Sequence, residues 1–276
     1  MITAIILTLN SERFIYKCLC SLLKYYPYPI SQIIVVDGGS KDNTLKIAQK
    51  FPVTIVKQKR KGISAARNEG LIRAKNKYIF FLDVDAFVKK IDFNKVVKCL
   101  GKNDIGVVSL ATKTPITNKI AKYIDNIRKY NHEEIRRRRT VTWFAGCSFI
   151  MKKGIGYFDT KHLYGADDIC FAYRIVKKGY KIVWLFDQDI YHYARDTILE
   201  YIREQYGWGR GSKLLFLEYE EYRRLSNMLK AVFRRILAPI LAIRILIKYG
   251  IGTYFTYIVG RYAWLVGFIK GWPSAF

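Results

Sequence analysis

Residues 79–90 read IFFLDVDAFVKK. An unbroken apolar run ends at Asp83, and a second carboxylate follows two residues later at Asp85. A continuous apolar run, without alternation, is the mark of a strand buried on both faces. Upstream, ITAIILTL, QIIVVDG and VTIVKQ share that character, and amphipathic stretches lie between them at roughly 11–25, 42–50 and 63–75. This alternation predicts an α/β fold with a mostly parallel central sheet and helices on its faces. Ligands of such sheets bind beyond the carboxyl ends of the strands. The polar residues directly after each run are therefore the candidates for function: Thr8 and Asn10, Asp37 to Ser40, and Asp83 with Asp85.

Residues i and i+2 of an extended chain share one side, so Asp83 and Asp85 can face one ligand. Two hard oxygen donors so placed suit Mg²⁺ or Mn²⁺ shared with a diphosphate. Two other readings stay open for this motif. One is a loop with two solvated acids. The other is a phosphatase of the haloacid-dehalogenase type, with Asp83 as nucleophile. Such enzymes favour Thr or Val two residues after the second acid, where this chain has Phe87, and carry the motif on their first strand.

The chain of 276 residues suffices for one large domain or a domain with an appendage. With 51% apolar and 15% aromatic residues, it can build a real core, which excludes global disorder. Forty-eight Lys and Arg against 22 Asp and Glu give a net charge of +26. That excess predicts an anionic partner: nucleic acid, a charged substrate or a phospholipid surface. Cys18, Cys20, Cys99, Cys147 and Cys170 lack metal-ligand spacing and read as reduced structural thiols. The opening MITAIILTLNSER has no basic segment before its short apolar stretch and reads as a first strand.

A middle section, about 104–195, mixes further strands with the basic EEIRRRRT (133–140). From about 196 the pattern turns helical. LKAVFRRILAPILAIRILIKYG (229–250) and IGTYFTYIVGRYAWLVGFIKG (251–271) are apolar and aromatic, but Arg234, Arg235, Pro239, Arg244 and Arg261 interrupt them. A spanning helix needs about 20 predominantly apolar residues. Cationic, aromatic segments of this kind instead predict helices lying in a membrane interface. Basic side chains flanking them suit an anionic leaflet. No nucleic-acid-binding motif accompanies the run Arg136 to Arg139, and no nucleic acid is expected as a partner.

TLNSERFIYKCLCSLL (8–23), IIVVDGGSKDNT (33–44), KGISAARNEGLIRA (61–74) and YIFFLDVDAFV (78–88) occur in this order, followed by GCSFIMKKGIGYFDTKHLYGADDICFAYRIVKKGYKIVW (146–184). Together they resemble the family 2 glycosyltransferases over roughly residues 1–195. The resemblance implies the Rossmann-like GT-A fold, with a nucleotide-sugar half at about 1–100, an acceptor half at about 101–195 and a helical, membrane-facing extension over 196–276. It implies that Thr8, Asn10 and Glu12 line the nucleotide and that Asp37 meets its base or ribose. Arg67 would lie near the diphosphate, Asp83 would face the nucleoside, and Asp85 with His192 would hold the metal. Gln205, Trp208 and Arg210, in REQYGWGRG (203–211), would approach the acceptor or diphosphate.

The family's acidic motif reads Glu-Asp-x-Asp before an arginine-bearing helix. Counting back from Arg174 and Gly179 places Asp167 as the base that deprotonates the acceptor and Asp168 as its neighbour. Here the first acid is Asp rather than Glu, and Cys170 replaces the third. The expected protein is thus a metal-dependent inverting glycosyltransferase at the cytoplasmic face of a membrane. It would use Mg²⁺ or Mn²⁺, a UDP- or GDP-linked sugar, and a lipid-linked saccharide or growing polysaccharide as hydroxyl acceptor. A polyprenyl-phosphate (dolichyl-phosphate) sugar synthase is the nearest alternative. The haloacid-dehalogenase-type phosphatase and a basic nucleic-acid-binding protein are the more distant ones.

Overall fold

The computed structural model describes residues 1–138, 141–161, 166–219 and 225–270. Arg139, Tyr164 and Gly165, which the sequence motifs include, lie outside the described residues, as does Gly271. The chain packs as two compact units. The first comprises residues 1–113, 138–161 and 167–193, and the second residues 114–137, 162–166 and 194–276.

The first unit is built on β1 (Ile2–Thr8), β2 (Ile30–Asp37), β3 (Thr54–Lys57), β4 (Tyr78–Leu82), β5 (Ala86–Lys90), β6 (Ile105–Lys113), β7 (Ser148–Lys152) and β8 (Lys181–His192). They form one sheet in the order β3-β2-β1-β4-β7-β6-β8-β5. The first four strands pair in parallel, as their unbroken apolar runs predict. β7 then runs antiparallel to both β4 and β6, β8 is parallel to β6, and β5 closes the edge antiparallel to β8. The nucleotide-side half is therefore wholly parallel, whereas the rest of the sheet is mixed.

Successive strand residues point to opposite faces, and the core divides accordingly. Ala4, Ile6, Phe80 and Leu82 join Ile15, Leu19 and Leu22 of α1 (Glu12–Leu23) and Val96 of α4 (Phe93–Gly101) in one cluster. Ala48 of α2 (Thr44–Ala48) belongs to the same cluster. Ile5, Ile79 and Phe81 join Ala66 and Leu71 of α3 (Ile63–Arg73) and Phe171 of α6 (Asp167–Lys177) in the other. A Cβ on Gly70 would meet Ile5 Cγ2 at 2.6 Å, so only glycine lets α3 lie this close to β1.

The second unit contains α5 (Lys119–Arg136), α7 (Ile198–Glu218), α8 (Leu225–Ile236), α9 (Ala238–Leu241) and α10 (Ile243–Lys270). Sequence pattern drew a boundary at residue 195, whereas packing groups α5 with the C-terminal helices. Asn126 of α5 donates to Thr253 Oγ1 of α10 at 3.0 Å, and Lys248 reaches Glu133 at 2.6 Å. Thr197 and Glu200 form a capping box at the start of α7. Gly250, at φ 79°, breaks α10 at the junction of the two apolar segments seen in the sequence. Among the described residues no helix is long and apolar enough to cross a membrane.

Candidate active site

The end of β4 does more than stop. Ala86 N donates to Asp83 O at 2.9 Å, a tight turn that sends the chain from mid-sheet into β5 at the edge. The pairing of β5 with β8 sets Ala86 opposite His192, and Tyr193 N donates to Asp85 O at 2.9 Å. This register carries the imidazole to the acids. His192 Nε2 lies 3.0 Å from Asp85 Oδ1 and 4.0 Å from Asp83 Oδ2. Asp83, Asp85 and His192 each offer one donor atom, all within 4.8 Å of one another. Burial, reinforced by the neighbouring Asp85, pushes the Asp83 carboxyl up to about 6. Two carboxylates crowded with an imidazole are the donor set of a hard or borderline divalent cation.

The other predicted nucleotide contacts divide. Thr8, 5% exposed, ends β1 with its Oγ1 buried and without a hydrogen-bond partner. It lines a cleft of about 520 Å³, together with Gly38, Gln58, Lys59, Arg60 and Lys61. Asp37 instead accepts from Gly39 N at 2.9 Å, Ser40 N at 3.0 Å and Ser40 Oγ. Asn10 adopts a left-handed φ of 48° and accepts from Lys41 N at 2.8 Å. Glu12 accepts from Asn43 N at 2.9 Å and from its amide at 3.0 Å. Asp37, Asn10 and Glu12 thus also brace the loop after β2.

Sequence reasoning passed over Gln58 to Lys61. The available signal was the rule applied elsewhere, that polar residues directly follow a strand, here β3. Gln58 Nε2 donates to Gly62 O at 2.7 Å and also to Arg60 O, which fixes the basic turn.

Arg67 is buried within the first unit. Its guanidinium, predicted beside a diphosphate, is 3% exposed, paired with Asp167 Oδ2, and bonded to Gly146 O at 2.9 Å. Phe81, Phe149 and Phe158 surround it at 5.9, 5.7 and 5.0 Å. Burial acts to lower its pKa, but Asp167, then Asp83 and Asp168, outweigh this and raise it. Arg67 is a fixed internal cation beneath the acids. Asp167, predicted as the base, is correspondingly engaged and 6% exposed.

Asp168, the next residue, accepts from Gly146 N at 3.1 Å and Ile169 N at 2.8 Å. Burial and the adjacent Asp167 push its carboxyl up to about 6. A Cβ on Gly146 would stand 2.9 Å from Asp168 Oδ2 and 3.0 Å from Arg67 Nη2, so the glycine is what lets the two acids and the arginine converge.

A family model described as "Glycosyl transferase family 2" matches residues 3–157, from β1 to beyond the acid pair after β4 and past β7. The chain belongs to glycosyl transferase family 2. Among family 2 relatives, it is 30% identical over 113 residues to the uncharacterized glycosyltransferase EpsJ of Bacillus subtilis, a match covering 39% of this chain and 33% of EpsJ. It is 23% identical over 236 residues to a dolichyl N-acetyl-alpha-D-glucosaminyl phosphate 3-beta-D-2,3-diacetamido-2,3-dideoxy-beta-D-glucuronosyltransferase of Methanococcus voltae, covering 78% and 73% of the two chains. The mannosyltransferase PcManGT of Pyrobaculum calidifontis, solved with GDP-Man and Mn²⁺, shares the fold. Its TM-score is 0.67 at 20% identity, over 99% of this chain and 88% of that one. The fold is that of the GT-A glycosyltransferases.

Within this family 2 chain, Gln205, Trp208 and Arg210 stand on α7 in the second unit. Trp208 is half exposed. The glycines around them have a packing role. A Cβ on Gly209 would lie 2.0 Å from Trp264 O, and one on Gly267 would lie 2.1 Å from Tyr206 O. α7 and α10 touch backbone to backbone there, as small residues permit.

Proposed function

We propose that the protein transfers a sugar from a nucleoside-diphosphate donor to a hydroxyl group, with inversion at the anomeric carbon. One observation carries this. At the carboxyl end of β4 three donor atoms converge within 4.8 Å, and β1, its neighbour in the sheet, ends at a cleft lined by Lys59, Arg60 and Lys61. A base-and-ribose pocket one strand away from a cation site is the arrangement a nucleotide diphosphate requires, since adjacent strands lie about 4.8 Å apart.

Asp83, Asp85 and His192 would hold Mn²⁺ or Mg²⁺. Bound there, a divalent cation would supply positive charge to a departing diphosphate. Thr8 Oγ1 would find its missing partner on the nucleotide, and the basic turn would complement the phosphates.

Asp168 is the base that the geometry favours. Asp167 is neutralised by Arg67, whereas Asp168 carries a carboxyl raised toward neutrality, suited to accepting a proton from a sugar hydroxyl. Asp167 and Arg67 position it through Gly146. A hydroxyl acceptor needs such a base and a phosphate acceptor does not, which favours a saccharide hydroxyl over a polyprenyl phosphate. The relative from Methanococcus voltae is named for a dolichyl-phosphate-linked acceptor. A lipid-linked saccharide at the cytoplasmic face of a membrane is accordingly the acceptor class proposed. Incubation with UDP- and GDP-sugars and lipid-linked saccharides, followed by NMR of the product anomer, tests this. Retention of donor configuration, or transfer only to a lipid phosphate, contradicts it.

A further inference from the structure

Between Leu225 and Lys270, the span of α8, α9 and α10, the chain contains no Asp or Glu. Its cations are Lys230, Arg234, Arg235, Arg244, Lys248, Arg261 and Lys270. The same span exposes large apolar side chains. Leu229, Phe233, Ile236 and Ile240 follow helical spacing and are 42, 55, 48 and 70% exposed. Ile243 and Ile247 before the break at Gly250, and Ile251 and Phe255 after it, are each four residues apart and are 56, 80, 58 and 58% exposed. An Ile exposed at 80% keeps little of the burial that makes such a residue favourable in water.

The cations border these stripes. Arg234 follows Phe233, Arg244 follows Ile243 and Lys270 follows Ile269, each one position around the helix from an exposed apolar group, whereas Lys248 is held by Glu133 of α5. Long cationic side chains so placed can lay their stems along an apolar layer and carry their charge to its polar rim. Arg235 is held within the helices instead. Its guanidinium lies over the Trp264 ring at 3.7 Å, and its buried Nε has no hydrogen-bond partner. Burial, and after it the nearby Arg261, push its pKa down to about 10.

We infer that this acid-free face of α8, α9 and α10 docks in the plane of a bilayer containing anionic phospholipid, with the isoleucine and phenylalanine stripes inserted and the bordering cations on headgroup phosphates. Charge selects the occupant. A second copy of the same face would bring its own cations, with no acid from these helices, against them. No helix among the described residues is suited to crossing the bilayer, which leaves in-plane insertion. This inference deepens the membrane-borne acceptor of the proposed function and rests on that reading for its biological setting.

Co-sedimentation of the full chain with phosphatidylcholine vesicles, with and without phosphatidylglycerol, tests it. Binding to the anionic vesicles is expected to be strong and salt-sensitive. Arg234→Gln/Arg244→Gln should weaken it about 30-fold, from roughly 1 kcal/mol per charge at an anionic surface. Ile240→Ser/Ile247→Ser should abolish insertion at every lipid composition. Titration of nucleotide sugar without vesicles, together with a circular-dichroism melt, confirms for each variant that the fold and donor site survive. Equal binding to neutral and anionic vesicles overturns the inference, as does no vesicle binding by a protein that still binds donor. So does a concentration-dependent dimer in solution that Ile240→Ser/Ile247→Ser dissolves. Loss of donor binding in the parent protein would instead count against the transferase reading.

Discussion

Asp167 is tied to Arg67 by an ion pair in which both side chains are almost wholly buried, 6% and 3% exposed, while Asp168 beside it is held by backbone N–H groups. The proposed mechanism gives these adjacent acids different tasks. Asp167→Asn should strand the Arg67 charge among Phe81, Phe149 and Phe158 and cost about 3–5 kcal/mol in denaturant unfolding. Asp168→Asn should leave the fold stable and lower turnover by roughly 10²- to 10⁴-fold. The reverse pattern, with Asp168→Asn unfolding and Asp167→Asn inactive but stable, would exchange their roles.

The raised Asp168 carboxyl sets opposite pH trends for rate and stability. As a base it must be ionised, so turnover should climb through a midpoint near pH 6. Its native value lies above the ordinary carboxylate value of about 3.9. The native state therefore holds this proton more tightly than the unfolded chain, and stability should fall as pH rises from about 4 to about 6. Asp83, also pushed up to about 6, contributes with the same sign. Rate profiles and melting temperatures measured across pH 4–8 check both. In Asp168→Asn the rate inflection should vanish and the stability decline should flatten.

Gly146 is the meeting point of these groups. Gly146→Ala should push Asp168 Oδ2 and Arg67 Nη2 apart, since both stand closer to the added methyl group than ordinary van der Waals contact allows. Asp168 can yield more readily than the buried Arg67. Turnover should fall by about tenfold or more, with a smaller loss in melting temperature, a 1 Å misplacement near the chemistry being costly. Steady-state kinetics beside a thermal melt separate the two effects.

Much of the site was legible in the chain itself. The unbroken apolar runs of β1, β2 and β4 located both the sheet and the ends at which Thr8, Asp83 and Asp85 sit. Local pattern could not show that β5 begins at Ala86 or that it pairs with β8. Only that long-range register brings His192 to Asp85. The partners of Asn10, Glu12 and Asp37 were hidden for a related reason, because the loop after β2 competes for the same polar atoms as a ligand. Arg67 reads in sequence as a helix cation available to phosphate. Its burial depends on Phe149 and Phe158, some eighty to ninety residues away, and no local pattern encodes that. The segment YGWGRG reads in the sequence as a ligand element, and the backbone approach of Gly209 to Trp264 gives its glycines a packing role that no local pattern encodes.

That approach gives a fourth expectation. Gly209→Val brings in a branched side chain whose Cβ would stand 2.0 Å from Trp264 O, and α7 must part from α10. Overpacking of this kind typically costs about 1–3 kcal/mol or more. Proteolysis of the α7–α10 region should accelerate. The nucleotide binding proposed for the first unit should persist, and titration of the variant with nucleotide sugar reads this directly.

The central claim is a nucleotide-sugar site that includes a cation held by Asp83, Asp85 and His192. Isothermal titration of UDP- and GDP-sugars with and without Mn²⁺, on the parent protein and on Asp85→Asn, addresses it most directly. The expected result is binding of at least one nucleotide sugar that requires Mn²⁺ and weakens about a hundredfold or more in Asp85→Asn, since even residues outside the ligand shell cost about 10- to 100-fold in metal affinity. Binding that is equally tight without the cation, or unchanged in Asp85→Asn, would contradict it.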